Sequence, residues 1–250
     1  MIASPLATAT LFHLGPVAIT VPVVTTWGIM LGLAGGSRLL TRRLALHPST
    51  RQAALELAVD AIATQIRETM RADPAPYLPL IGTLFLFILT ANWSSLLPGI
   101  EPPTAHLETD AALALIVFCA IPWFGIRTRG LRGYLGTFAE PSLLMVPLNL
   151  VETLTRTLSL LVRLFGNVMS GVFVIGIVLS LVGLLVPVPL MALELLTGAV
   201  QAYIFAVLAM VFISAVTVPL EIAPPASPDI APLASPDIAP LGPPDKEPTP

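Results

Sequence analysis

Lysine is almost missing from this 250-residue sequence: Lys246, near the carboxyl end, stands alone beside eleven arginines. Charged residues of every kind make up 11% of the chain, which leaves no basic patch to hold nucleic acid. The single cysteine, Cys119, lies inside an apolar stretch, so the chain can form neither an internal disulfide nor a thiolate metal cluster. A phosphate-binding loop needs a lysine within it, and the only one is in the tail. Neither H-E-x-x-H nor G-x-S-x-G occurs. No catalytic, metal or cofactor chemistry is therefore expected of this chain. The amino terminus also lacks the basic segment of a secretory signal. The first apolar stretch is too long for a signal core, so it is read as a retained membrane span.

What is abundant is apolar sequence. Hydrophobic residues make up 55% of the chain, and several runs are long enough to cross a hydrocarbon core of about 30 Å. The runs are Pro16 to Leu40, Tyr77 to Leu97, Asp110 to Ile126, Leu143 to Val186 and Val188 to Leu220. The expected fold class is all-α, a polytopic membrane protein with about five membrane helices. Arg38, Arg42, Arg43, Arg51, Arg67 and Arg71 fill the first connection, and Arg127, Arg129 and Arg132 the third. The amino terminus, the second connection and the turn at Pro187 hold no basic residue. The positive-inside rule then places the amino terminus outside and, after five crossings, the carboxyl tail in the cytoplasm. Trp93, Trp123 and Tyr134 fall where interfacial aromatic residues belong.

Between the first two runs, Pro48 to Asp73 reads as an amphipathic helix. Leu55, Val59, Ile62, Ile66 and Met70 share one face; Glu56, Asp60, Arg67 and Arg71 lie opposite. Ser49 or Thr50 is placed to cap it, and Pro74 and Pro76 to stop it. Such a helix either lies on the inner membrane surface or docks against a partner subunit.

The residue that most needs explaining is Arg163, midway along the apolar run Leu143 to Val186. A guanidinium at bilayer mid-depth costs at least about 2.5 to 3.5 kcal/mol, so intramembrane charges mark functional sites. Snorkelling offers no escape several turns from either end. As one helix the 44-residue run would be about 66 Å long, roughly twice the hydrocarbon thickness. It must tilt steeply or fold at Gly166-Asn167. Glu152, Arg156, Ser159, Arg163, Asn167 and Ser170 recur at steps of three and four, a continuous helical stripe that argues against a fold. The next run carries Glu194 and Gln201 seven apart, on one face. The two stripes are expected to meet, as an interhelical ion pair of Arg163 with Glu194 or Glu152, or as a ladder for ion traffic.

The string Val146 to Asn167, with Glu152, Arg156, Arg163 and Asn167 at its marked positions, followed by Glu194 and Val200-Gln201-Ala202-Tyr203-Ile204-Phe205, closely resembles subunit a of the F-type ATP synthase. Phe85-Leu86-Phe87, Asn92-Trp93 and Leu97 to Ala105 are similar to the same family's pattern, and the resemblance runs from about Leu11 to Ala215. It implies a stator subunit of the membrane sector, whose last two helices lie long and strongly tilted against a rotating ring of c subunits. It also implies a b-subunit peripheral stalk and the remaining synthase subunits as partners, in a bacterial inner membrane.

By the same resemblance Arg163 is the arginine that faces the ring. A ring carboxyl is neutral in lipid and ionises beside a fixed guanidinium. Because arginine does not deprotonate, it separates two half-channels without passing the ion itself. Gln201 orients Arg163, Asn167 lines a half-channel, and Glu194 is a relay in the outer one. Two positions depart from the family pattern: Val172 stands where Glu or His is usual, and His106 where an acid is usual. The outer path is therefore expected to run through His106, Glu108 or Asp110 to Glu194. Glu152 and Arg156 are expected to pair at the inner interface, and Ser159 and Ser170 to belong to the same stripe. The coupled ion is a proton or sodium.

The rival reading, a secondary transporter whose arginine binds a substrate carboxylate, requires repeated halves and broken helices. No repeat occurs in the spans, and no proline lies near Arg163. From Ile222 the composition turns to Pro, Ala, Ser and Asp, and the string at 226 to 233 recurs at 234 to 241. Residues 1–222 are thus expected to form the membrane ion-channel domain. Residues 223–250 are expected to be a disordered, Pro-rich cytoplasmic tail.

Overall fold

Five helices in the computed structural model are long and apolar enough to cross a membrane. The structure describes residues 10–14, 17–42, 50–96, 102–139, 145–182 and 187–217. The proposed tail lies outside the described residues. Helix α1 is Val21–Thr41, α2 Thr50–Met70, α3 Leu78–Trp93, α4 Leu107–Ala139, α5 Met145–Val182 and α6 Pro187–Thr217.

The first expected span began at Pro16, but the chain does not enter α1 until Val21. Before it, β1 (Thr10–Leu14) and β2 (Val17–Thr20) pair antiparallel, with Thr10 opposite Thr20 and Leu14 opposite Val17. Val17, Ile19 and Thr20 are β-branched and favour the extended state. Pro22, in the first turn of α1, suits a helix start because its missing N–H is one that the first turn leaves unused. Apart from this hairpin the described residues are helices, turns and connections.

Helix α2 ends four residues before Pro74, where Arg71 takes a left-handed φ of 49°. Its apolar face is buried unevenly: Ile66 and Met70 pack into the core, whereas Val59 is exposed. Only the carboxyl half of α2 thus docks on the bundle, against α3 and α6.

The third span was expected to end at Ile126, ahead of a loop holding Arg127, Arg129 and Arg132. Instead α4 continues, because nothing breaks the helix until Gly130, whose φ of 72° and ψ of 165° only glycine adopts without strain. The chain turns back there, and the Tyr134 ring settles on Gly125: a Cβ at Gly125 would lie 2.5 Å from Tyr134 Cδ2. Tyr134 is buried as a result.

Helix α5 is unbroken for 38 residues, about 57 Å at 1.5 Å per residue, and Gly166-Asn167 does not interrupt it. Helix α6 has 31 residues, about 46 Å. To stay within the bilayer, α5 must incline by roughly 45 to 60° from the normal. The core forms where α3, α4 and α6 meet, around Ile81, Ile88, Val117, Phe205, Ala209 and Ile213. Helix α5 adds Leu160 and Leu164, which with Thr157 and Val168 make its inward stripe at steps of three and four. Helix α1 buries almost nothing and touches the bundle through α3.

Candidate ion-pathway site

Four of the six members of the polar stripe on α5 fall one position before a member of the inward stripe: Arg156 before Thr157, Ser159 before Leu160, Arg163 before Leu164, Asn167 before Val168. One residue is about 100° of helix rotation, so the polar stripe is turned to the rim of the chain's own packing. Glu152, Arg156, Ser159, Arg163 and Ser170 are exposed, and Asn167 is half-buried. Beside Arg163 the outer surface of α5 carries exposed Leu158 and Val162, which line a shallow hollow with it, Thr155 and Ser159. Among the described residues Arg163 makes no ion pair and no hydrogen bond, so the expected pairing with Glu194 or Glu152 does not occur. Glu152 pairs with Arg156 one turn on, and the Arg156 guanidinium lies 5.6 Å from the centre of the Phe212 ring of α6.

These groups open into a groove of about 490 Å³. Glu152, Thr155, Arg156, Ser159 and Arg163 form its polar side; Leu208 and Phe212 of α6 form the far wall. The groove follows about 22 Å of α5, from Leu148 to Arg163.

The stripes of α5 and α6 were expected to meet, and Glu194 comes against α5 at Gly171, the residue after Ser170. Glu194 is half-buried beside Gly171, with Oε1 buried and unpartnered. Any side chain on residue 171 would occupy the space of that carboxylate. Gln201 is buried two turns further along α6, and its Nε2 has no partner. It makes no hydrogen bond to Arg163, which faces out while Gln201 faces in. Val172 is exposed beside Gly171, away from the Glu194 carboxylate.

Glu194 is held in place by side chains the sequence reading did not assign a role. Asn92, buried at the end of α3, donates from Nδ2 to the Gly198 carbonyl of α6 at 2.9 Å. Thr104 Oγ1 donates to Asn92 Oδ1 at 2.7 Å. A carbonyl can only accept, so Gly198 fixes which end of the amide faces it. Trp93 Nε1 donates to the Leu195 carbonyl at 3.3 Å. Gly198 allows the approach, since a Cβ there would lie 3.0 Å from Asn92 Cβ. The connection before α4 is thereby tied to the turn of α6 that follows Glu194. The sequence marked Asn92 and Trp93 as polar groups at the end of an apolar run and, with Thr104, as part of the family pattern, but nothing in it joined them to α6.

Thr104 lies in a 3-10 turn, Pro103–Ala105, that touches α1, α3, α4 and α5. Of the three candidates beyond it, His106 is half-buried, Glu108 is exposed, and Asp110 is wholly buried with neither carboxyl oxygen hydrogen-bonded. Among the described residues no three His, Cys, Asp or Glu side chains gather in a metal-binding group.

The polar stripes and the turn that braces them lie within residues 21–214, which match the family described as ATP synthase A chain. A protein named ATP synthase subunit a 2 from Bradyrhizobium sp. (strain BTAi1) is 61% identical over 215 residues, 86% of this chain and 96% of that one. ATP synthase subunit a from Albidiferax ferrireducens is 52% identical over 197 residues, 78% and 85% of the two chains. ATP synthase subunit a 1 from Chlorobaculum parvum is 52% identical over 209 residues, 83% and 92%. With an unbroken α5 bearing Arg163, five apolar spans and matches of this extent, the chain belongs to the ATP synthase A chain family, the non-catalytic ion-channel subunit of that enzyme's membrane sector.

Proposed function

We propose that this chain carries ions through two half-channels to and from a rotating ring of c subunits, with Arg163 as the fixed charge between them. The observation that supports this most is the position of Arg163, an exposed permanent charge on α5 with no ion pair among the described residues. Beside Leu158 and Val162 such a charge would be uncompensated in lipid; a partner carboxyl arriving at that face compensates it. The guanidinium favours the ionised form of that carboxyl, which releases its ion, and arginine cannot carry the proton onward.

The groove from Leu148 to Arg163 suits one half-channel, with Glu152, Arg156 and Ser159 along it. Glu194, seated on Gly171, suits the other, with Asn167 and Ser170 near it on α5 and the connection bearing His106, Glu108 and Asp110 beyond. Gln201 acts from the interior and contributes through the packing of α5 on α6. The exposed amino half of α2 is left for the membrane surface or for the b-subunit stalk. The distribution of basic residues supports an amino terminus outside and a cytoplasmic tail, 223–250, after a membrane domain of residues 1–222, in a bacterial inner membrane. The secondary-transporter reading loses its main support because α5 passes Arg163 unbroken.

The test is Arg163→Ala in the whole complex, reconstituted in vesicles. The complex assembles and ATP-driven ion uptake is lost; undiminished uptake rejects the reading. The same assay run with and without sodium identifies the carried ion.

A further inference from the structure

The inward stripe of α4 is apolar at every turn but the first. Leu113, Ala114, Val117, Ala120, Ile121 and Phe124 are its buried members, and Asp110, one turn earlier on the same face, is 0% exposed. An acid in the first turn of a helix ordinarily faces water or accepts from the free backbone N–H groups there. Asp110 does neither: both oxygens are buried without a hydrogen-bond partner, while its own N–H bonds to the His106 carbonyl at 3.4 Å. Burying a polar group without a partner costs about 2 to 7 kcal/mol, so this carboxyl detracts from the fold that contains it. Glu108, the other acid of the turn, points to the exposed side and needs no such explanation.

A second observation lies on α6, where the unpartnered buried polar atoms of the described residues include Glu194 Oε1. The Thr104, Asn92 and Gly198 hydrogen bonds join the two places. Asp110 lies six residues after Thr104, and Glu194 lies one turn before Gly198. A wholly buried carboxyl with both oxygens unpartnered and a half-buried one with Oε1 unpartnered therefore flank one hydrogen-bonded junction.

We infer that Asp110 is a proton-carrying carboxyl of the pathway, acting ahead of Glu194. The inference rests on the proposed role of Glu194. A hard cation takes several oxygen ligands, and the buried residues that follow Asp110 on its face of α4, Leu113, Ala114 and Val117, have no side-chain oxygen to add to its two, so the ligand is a proton. Asp110, neutral in its buried and unpartnered setting, passes its proton to the Glu194 carboxylate and takes another from the connection, and Glu194 hands its proton on to the ring carboxyl. Each group ends the cycle in the protonation state in which it began, and no other reactant is consumed. Asp110 thereby takes over the work of the acid that His106 replaces.

The test uses the complete complex in vesicles and measures ATP-driven acidification for Asp110→Asn, Asp110→Glu and Asp110→Ala, with Arg163→Ala alongside. Asp110→Asn is expected to assemble and to pump about 10- to 100-fold more slowly. Asp110→Glu should keep most of the activity, and added formate should restore Asp110→Ala several-fold, which a purely structural residue would not allow. Pumping by Asp110→Asn within twofold of the parent overturns the inference, and so does failure of all three variants to assemble. Absence of rescue by both formate and Asp110→Glu overturns it as well. Loss of pumping in Arg163→Ala with full pumping in Asp110→Asn rejects this inference alone; full pumping in Arg163→Ala rejects the wider reading.

Discussion

Gly171 of α5 and Glu194 of α6 share one volume: a Cβ on Gly171 would stand 2.6 Å from Glu194 Oε1 and 2.8 Å from its Cδ. The glycine is thus the receptacle of the carboxylate, and both lie within the region where the two long helices meet. Gly171→Ala should displace Glu194, at a cost of about 1 to 3 kcal/mol for the overpacked site. Driven ion flux should fall while the complex still assembles. Flux and thermal stability both equal to the parent would show that the contact is slack.

Glu194→Gln keeps the shape and removes the charge. If Glu194 passes ions, the variant should assemble normally and slow coupled flux by about 10- to 100-fold. An unchanged rate would take Glu194 out of the path. Pairing this variant with Gly171→Ala separates position from charge, because the second change should matter little once the carboxylate is gone.

Asn92 joins three segments through one amide, so its loss should be felt at two places. Asn92→Ala leaves the Thr104 hydroxyl and the Gly198 carbonyl without their partner and should destabilise the solubilised protein by about 1 to 3 kcal/mol. Thr104→Val removes one bond only and should cost about 1 kcal/mol. Melting of the two single variants and the double variant measures the coupling. Strict additivity would mean that the two bonds act independently.

Local patterns exposed much of this architecture before any coordinates. The five apolar runs, the unbroken stripe through Arg163 and the Glu152 to Arg156 spacing are contacts within one helix or one turn, and helical period alone carries them. What escaped depended on distant partners. Asn92 and Gly198 are 106 positions apart, and no periodicity joins them. Which of Glu108 and Asp110 is buried depends on where α4 begins, and Leu107 starts it three residues before the apolar run. The two polar stripes were expected to meet, as an ion pair of Arg163 or as a ladder. Because the inward face of α5 is one residue later than its polar face, Glu194 lies against Gly171 and makes no ion pair with Arg163. The hairpin before α1 was hidden because Val17 to Thr20 is as apolar as a span and only its β-branching speaks for strand.

The turn at the far end of α4 offers a test of packing independent of ion flux. Gly130 has a left-handed φ, so Gly130→Ala should cost about 1 to 2 kcal/mol in backbone strain. Gly125→Ala drives a methyl into the Tyr134 ring, at 2.5 and 2.7 Å from its carbons, and should cost more, since ring and backbone must both move. Tyr134→Ala opens that space. The double variant Gly125→Ala with Tyr134→Ala should therefore be destabilised by less than the sum of the two single changes, by about 0.5 to 3 kcal/mol. Melting temperatures of the solubilised protein provide the comparison. A sum that holds within error would show that Tyr134 does not rest on Gly125.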